Sequence, residues 1–132
     1  MAPRYKHDQA VRLAGEVFGK ILDREADREG FAYVLDCLES GRKTIQQIVL
    51  EFMSSDEFID RFASGDDVAR TASLINTLLL GRPLRDEVEL QSARRELLRL
   101  GLRQYAEKLV LSQEYARRVG PDRVPGAGHS KP

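Results

Sequence analysis

A short helix-ending segment occurs twice in this chain, and it decides the fold. Residues 22–31 read LDREADREGF, and residues 80–88 read LGRPLRDEV. Each stretch follows an apolar run and carries Leu-x-Arg, several polar residues and then an aspartate. An arginine just after a helix can bond the free carbonyl groups and complements the negative end of the helix dipole. The repetition therefore indicates a duplicated turn between helices. Helix termination alone explains this turn, so the repeat is evidence about the fold and not about a functional site.

The residues around these turns align as two copies of one unit. The aligned pairs are Leu22/Leu80, Arg24/Arg82, Asp27/Asp86, Gly41/Gly101, Ser55/Ser112, Glu57/Glu114 and Phe58/Tyr115. The offset drifts between 57 and 60 residues, so small insertions separate the copies. Each copy predicts helix, turn, helix, glycine, helix and then Ser-x-Glu-aromatic. Since neither copy can bury its apolar face alone, we expect the two to share one core.

Apolar residues recur at helical spacing nearly throughout, and no alternating strand pattern appears. Side chains suited to helix N-caps precede several apolar runs. These are Asp8, Asp27, Thr44 with Gln47, Ser54 with Glu57, and Asp86 with Glu89. On the helix after Asp86, the spacing predicts an inner face of Val88, Ala93, Leu97 and Leu98. The sequence therefore predicts an all-α, single compact domain of about seven or eight helices, built from a duplicated three-helix unit.

The same reading divides the chain into three segments. Residues 1–7 form an N-terminal arm, and residues 8–119 form the helical domain. Within that domain the two copies cover about residues 8–62 and 66–119. Residues 120–132 have too few large apolar side chains to fold alone, which predicts a flexible Pro/Gly-rich tail. No stretch approaches the length of a membrane-spanning helix, and the first residues have no apolar core of a signal peptide.

The chemistry-bearing side chains are too few and too scattered for a catalytic or metal centre. The two histidines, His7 and His129, lie near the termini, and the single cysteine, Cys37, fits a half-buried helix position. A catalytic thiolate needs a neighbouring base, and a metal site needs clustered ligands. Phosphate-binding glycine motifs are also missing. We therefore expect neither enzymatic activity, nor a metal, nor a cofactor held by this chain; the lone cysteine fits a reducing compartment.

Charge is balanced overall but unevenly placed. The 132 residues carry 21 basic and 21 acidic side chains, with the excess of acid in the first half and of base in the second. Seven arginines of the second half are the candidate partner-binding residues: Arg94, Arg95, Arg99, Arg103, Arg117, Arg118 and Arg123. Glutamates interrupt them and no aromatic side chains interleave, which argues against nucleic-acid binding. Arginine is favoured at protein interfaces because its planar fork binds carboxylates, so this half is interpreted as a protein-binding face.

Several motifs, taken in order, resemble one family. They are ILDR at 21–24, LESGRKTIQQI at 38–48, SSDEF at 54–58, LLLGR at 78–82, SQEY at 112–115 and VPG at 124–126. This ordered set resembles the linker domain of phycobilisome linker polypeptides over residues 8–126, nearly the whole chain. The first half, LDREADREGFAYVLDCLESG, is also similar to a related bacterial domain of unknown function. An alternative interpretation is therefore a stand-alone helical interaction domain outside photosynthesis.

The linker resemblance implies a non-enzymatic scaffold of the light-harvesting antenna. Such a domain lies in the central cavity of phycobiliprotein trimers or hexamers, fixes ring order and tunes the bilins of its partners by local contacts. It implies no covalently bound bilin on this chain, other linkers as further partners, no nucleic acid and no insertion into the bilayer. The implied location is cytoplasmic, peripheral to the cytoplasmic face of the thylakoid or photosynthetic membrane.

Overall fold

The structure is a computed structural model, which describes residues 2–126. It confirms the all-α prediction, with eight α-helices and no strand within that range. The helices are α1 (His7–Glu16), α2 (Arg28–Ser40), α3 (Ile45–Met53), α4 (Asp56–Phe58), α5 (Val68–Leu80), α6 (Glu87–Leu100), α7 (Leu102–Val110) and α8 (Gln113–Arg118). Wider π-helical turns continue α1 through Val17–Leu22 and α4 through Ile59–Ala63. No helix of this part of the chain is long and apolar enough to cross a bilayer.

The packing of the helices repeats as the sequence does. In the first copy α1 packs against α2, and the π-helical turn that continues α1 packs against α3 and α4. In the second copy α5 packs against α6, α7 and α8. The copies meet where α3 packs against α7, which are equivalent helices. One core of apolar side chains therefore runs through both copies.

The start of the last helix in each copy is built from the same hydrogen bonds. Ser55 Oγ accepts from the Phe58 backbone N–H at 3.1 Å, and Ser112 Oγ accepts from the Tyr115 N–H at 3.1 Å. Each hydroxyl also donates to a carbonyl three residues back at 2.6 Å. The sequence prediction that Ser54 is the cap is wrong by one residue, because Ser54 ends α3 and leaves the capping position to Ser55.

One glycine explains the largest change in the offset between the copies, from 60 residues at Gly41/Gly101 to 57 at Ser55/Ser112. Gly41 ends α2 in the left-handed conformation (φ 74°, ψ 19°), and Thr44 then caps α3. Gly101 ends α6 and is at the same time the N-cap of α7, with φ 84° and ψ 165°. Residues 42–44 therefore have no counterpart in the second copy, which shortens the offset by three residues. Both glycines have a positive φ, but of the two only Gly101 has the extended ψ that glycine alone adopts readily.

The N-terminal arm lies against the domain. Helix α1 begins at His7 after the N-cap residue Lys6, so the prediction of Asp8 as the cap is wrong. The Tyr5 backbone N–H donates to the Leu38 carbonyl at 3.0 Å, which joins the arm to the end of α2. The Tyr5 hydroxyl donates to Asp122 at 2.5 Å and so joins the arm to the opposite end of the chain.

The segment after α8 also packs onto the domain. Val124 is buried in the core, and a Cβ on Gly126 would lie 2.8 Å from the Leu78 side chain. The tail predicted for residues 120–132 therefore begins too early. Val124 is buried against the domain, and the spacing of apolar residues in the sequence does not reveal this contact. The remainder of the predicted tail, residues 127–132, lies outside the described residues.

Helix α6 buries a narrower face than the sequence predicts. Ala93 and Leu97, four residues apart, are buried as expected. Val88 and Leu98 are exposed, which contradicts their assignment to the inner face. Leu98 lies about 100° around the helix from Leu97, and among the described residues no other helix covers that side of α6 enough to bury it.

Candidate partner-binding surface

Each repeated turn is tied to the last helix of its copy by an arginine–glutamate pair. Arg24 bonds Glu57 through Nε and Nη2, at 2.6 and 2.9 Å. Arg82 bonds Glu114 through the same atoms, at 2.6 and 3.0 Å. The hydrogen bonds from the arginines are the main cause that lowers the pKa of Glu57 and of Glu114 below the usual range. We call these two pairs the Arg–Glu clasps.

The clasps revise the role that the sequence suggests for the Leu-x-Arg arginines. Arg24 and Arg82 each donate one bond to a carbonyl, but that carbonyl belongs to the following residue in the turn. The free carbonyl of Leu22 at the first helix end is bonded by Arg61 instead. The repeated arginines therefore act mainly through carboxylates, which lie some thirty residues further along the chain and, for Arg82, also at Glu89 on α6.

All seven arginines predicted for the partner surface are exposed. Two of them have acidic neighbours: Arg99 pairs with Glu96 at 2.8 Å, and Arg118 pairs with Glu114 at 3.0 Å. Lys108 also contacts Glu96, which is therefore shared by two cations. The hydrogen bonds of these cations lower the pKa of Glu96.

The remaining five arginines have no ion pair with any residue of the range 2–126. They are Arg94, Arg95, Arg103, Arg117 and Arg123. Their guanidinium groups are thus available to carboxylates of another molecule. An arginine without an internal partner loses no internal ion pair when it binds a carboxylate outside.

The structure separates the seven arginines into two groups. The first group, Arg94, Arg95, Arg99 and Arg103, lies on α6 and α7, and the second, Arg117, Arg118 and Arg123, lies on α8 and after it. Leu98, on α6 among the first group, shares a groove with Val68 at the start of α5. Arg118 and Arg123 instead line a cleft with Leu79 at the end of α5. Val68 and Leu79 are eleven residues apart on one helix, or about 16 Å along its axis. The predicted basic face is therefore two basic surfaces, one at each end of α5.

An apolar groove beside the first basic surface was not foreseen from the sequence. It encloses about 230 Å³ and is lined by Ile59, Ala63, Gly65, Val68, Thr71, Leu97, Leu98 and Leu102. We call it the junction groove, because residues of both copies line it. The sequence carries no clear signal of this groove, because adjacent apolar residues on a helix can both be buried, as Leu79 and Leu80 are on α5.

The residues considered for chemistry do not come together. Cys37 is buried in the core, deeper than the half-buried position expected. His7 is exposed and lies 2.8 Å from Glu39. His129 lies outside the described residues. Within residues 2–126 no three His, Cys, Asp or Glu side chains are grouped to hold a metal ion.

Comparison with known proteins places this geometry in context. A family model described as Phycobilisome Linker polypeptide matches residues 6–127, which include all eight helices and both copies of the unit. A curated protein of Microchaete diplosiphon, named Phycobiliprotein ApcE, is 32% identical over 113 residues. The alignment covers 83% of this chain and 10% of that protein. The chain thus spans about a tenth of the length of this relative.

Proposed function

We propose that this chain, which belongs to the phycobilisome linker polypeptide family, acts as a structural linker in phycobilisome assembly. The observation that carries the proposal is the extent of the family match, since residues 6–127 include both copies of the helical unit. We further propose that the domain binds in the central opening of phycobiliprotein trimers or hexamers. Other linkers are the second class of partner. The assembly would lie on the cytoplasmic face of the thylakoid or photosynthetic membrane.

The charge distribution supports this mode of binding. Family resemblance implies that phycobiliprotein rings are acidic, and the second half of this chain presents exposed arginines. A single exposed ion pair contributes only about 0–1 kcal/mol. Several pairs removed from water together in a closed opening have a larger effect on orientation and association rate. The arginines without internal partners are the side chains best placed to form them.

The proposed role needs no catalysis and no bilin attached to this chain. Cys37 is the sole thiol, and it is buried among core side chains. The bilins then belong to the partner phycobiliproteins. Zinc-induced fluorescence of the denatured protein, purified from its native host, tests this point. A fluorescent band that disappears in Cys37→Ser would overturn it.

Charge reversal on the basic surface near α6 tests the binding mode. The triple variant Arg94→Glu, Arg95→Glu, Arg103→Glu changes three exposed side chains that have no ion pair within the described residues. Arg99 is left intact because it pairs with Glu96. We expect an unchanged melting temperature and about tenfold weaker co-sedimentation with phycobiliprotein rings at about 0.05 M salt. The difference should shrink at about 0.5 M salt, where charges are screened over a few ångströms.

A matched single variant controls for net charge. Arg28 on α2 is also exposed and has no ion pair within the described range, so Arg28→Glu makes the same charge change as Arg95→Glu in the acidic half. We expect Arg28→Glu to bind rings as the wild type does. If Arg95→Glu and Arg28→Glu weaken ring binding equally, the loss comes from net charge and not from the basic surface near α6. A wild-type chain that fails to bind rings at either salt concentration would instead favour the interaction domain outside photosynthesis.

A further inference from the structure

We propose that the junction groove is the apolar anchor of the basic surface and that it receives a large apolar side chain from an acidic segment of a phycobiliprotein subunit. The inference rests on the proposed function and adds to it the chemistry of the contact. It assigns a binding role to Leu98, which lies outside the seven arginines predicted from the sequence.

The groove exists because the two copies meet. Ile59 and Ala63 come from the π-helical turn that ends the first copy. Val68, Leu98 and Leu102 come from three helices of the second copy. At about 230 Å³ the groove is smaller than the roughly 300 Å³ at which small-molecule pockets begin. Its size suits one or two side chains of a protein partner.

Leu98 forms the open edge of this groove. Leu98 is 58% exposed, although apolar side chains line the groove beside it. Isolated exposed leucines are ordinary on protein surfaces. Leu98 is distinguished by its neighbours, because Arg94 and Arg95 lie four and three residues before it, one turn away on α6. An apolar edge one helical turn from two arginines without internal ion pairs matches a partner segment that carries an apolar side chain near carboxylates.

The charges around the groove favour an acidic partner over a second copy of this chain. Arg94, Arg95 and Arg103 lie on the α6–α7 side. Asp66 and Asp67 follow Gly65 on the other side, and Asp67 is occupied as the N-cap of α5. The acidic segment should therefore cross the α6–α7 side of the groove.

A second copy offers poor side chains for this groove. Among the described residues of its acidic half, the large apolar side chains that are exposed are Val11 and Tyr33. The Tyr33 hydroxyl is already bonded to Glu51 and Lys43, at 2.9 and 2.7 Å. Val11 has a small side chain and is followed by a cation, Arg12, which an acidic segment would not carry. An acidic segment of a phycobiliprotein subunit therefore fits the groove better than a second copy of this chain.

The experiment compares two equally simple substitutions. Leu98→Ser removes the groove edge, whereas Leu111→Ser removes a leucine that is 74% exposed on the same half and outside the groove. Binding to purified phycobiliprotein rings is measured by sedimentation at low and high salt. We expect Leu98→Ser to weaken binding about tenfold at both salt concentrations, because an apolar contact is not screened. Leu111→Ser should stay within about twofold of the wild type, and both variants should keep the wild-type melting temperature.

A second variant guards against an indirect effect of Leu98→Ser. Ala63→Leu fills the groove from the opposite wall and leaves Leu98 in place, so it should weaken binding to a similar extent. If the wild type binds rings but Leu98→Ser and Ala63→Leu bind as Leu111→Ser does, the groove is not the anchor and the inference is wrong. If the wild type itself fails to bind rings, the proposed function is wrong and the inference falls with it.

Discussion

The Arg82 guanidinium and the Glu114 carboxylate form two parallel hydrogen bonds, Nε to Oε2 at 2.6 Å and Nη2 to Oε1 at 3.0 Å. The pair joins the turn after α5 to α8. The equivalent pair, Arg24 and Glu57, joins the turn after the first helix to α4 with the same atoms. Parallel bonds of this kind need the planar fork of arginine. The repeated turn is therefore one half of a repeated clasp, whose other half lies in the Ser-x-Glu-aromatic motif.

The two clasps should differ in strength, because they differ in exposure. The Arg82 and Glu114 side chains are 14% and 20% exposed, against 33% and 35% for Arg24 and Glu57. In double-mutant cycles with alanine, we expect a coupling free energy of about 1–2 kcal/mol for Arg82–Glu114 and below about 1 kcal/mol for Arg24–Glu57. Urea unfolding measures both. Arg82→Lys keeps the charge and loses the planar fork, so lysine at this position should retain less than half of the coupling free energy with Glu114. A coupling free energy near zero for Arg82–Glu114 would refute the clasp.

The clasps also predict an acid-sensitive fold. Bonds from arginines lower the pKa of Glu57, Glu89 and Glu114 in the folded chain below the unfolded value near 4.3. A lowered folded pKa stabilises the fold fully above the unfolded pKa, and the gain is lost as pH falls through the folded pKa. We therefore expect the free energy of unfolding to fall below about pH 5. The variant Glu57→Gln, Glu114→Gln should be less stable at pH 7 and show a shallower acid slope; an unchanged slope would show that other carboxylates are responsible.

Tyr115 carries a buried hydroxyl with no hydrogen-bond partner among the described residues. Burial raises its pKa. The equivalent residue of the first copy is Phe58, which is equally buried without a hydroxyl. Tyr115→Phe should therefore raise the free energy of unfolding by about 1 kcal/mol. Tyr105→Phe is the control: its hydroxyl contacts Asn76, so the same change should lower stability by a similar amount. Destabilisation by Tyr115→Phe would mean that this hydroxyl has a partner after all.

Gly101 should tolerate substitution poorly because of its backbone conformation. It combines φ 84° with ψ 165°, a region that side chains with a Cβ avoid at a cost of about 1–3 kcal/mol. Gly101→Ala should lower stability by that amount. Gly15, inside α1, has nothing within 4 Å of an added Cβ, so Gly15→Ala should raise stability by up to about 1 kcal/mol. Thermal unfolding compares the two. A Gly101→Ala variant as stable as the wild type would contradict the double role of this residue.

Much of the fold could be predicted from local chemistry. Asp27 and Thr44 cap their helices as their side chains suggest, and Gly41 supplies the left-handed residue after α2. The repeat was visible because Arg24 and Arg82 stand at matching points of both copies. Adjacent serines were ambiguous, since both Ser54 and Ser55 carry a capping hydroxyl and only the length of α3 decides between them.

The features missed from sequence depend on contacts between distant segments. Spacing indicates which residues share a helix face, but not how wide a face its neighbours cover, so Leu98 and Val88 were placed inside. Burial of Val124 depends on its docking against the domain. The exposure of the six arginines on α6, α7 and α8 is consistent with their helix positions, whereas the division of all seven between the two ends of α5 depends on how the helices pack in three dimensions. The contact between Lys108 and Glu96 likewise spans two helices.

The most direct test of the account is sedimentation velocity of purified phycobiliprotein rings with and without this chain. A linker that lies within the central opening adds the mass of one chain while the outer dimensions of the ring stay the same. We therefore predict a higher sedimentation coefficient with an unchanged or lower frictional ratio, at one chain per ring. A higher frictional ratio, or several chains per ring, would place the chain on the outside and contradict the account.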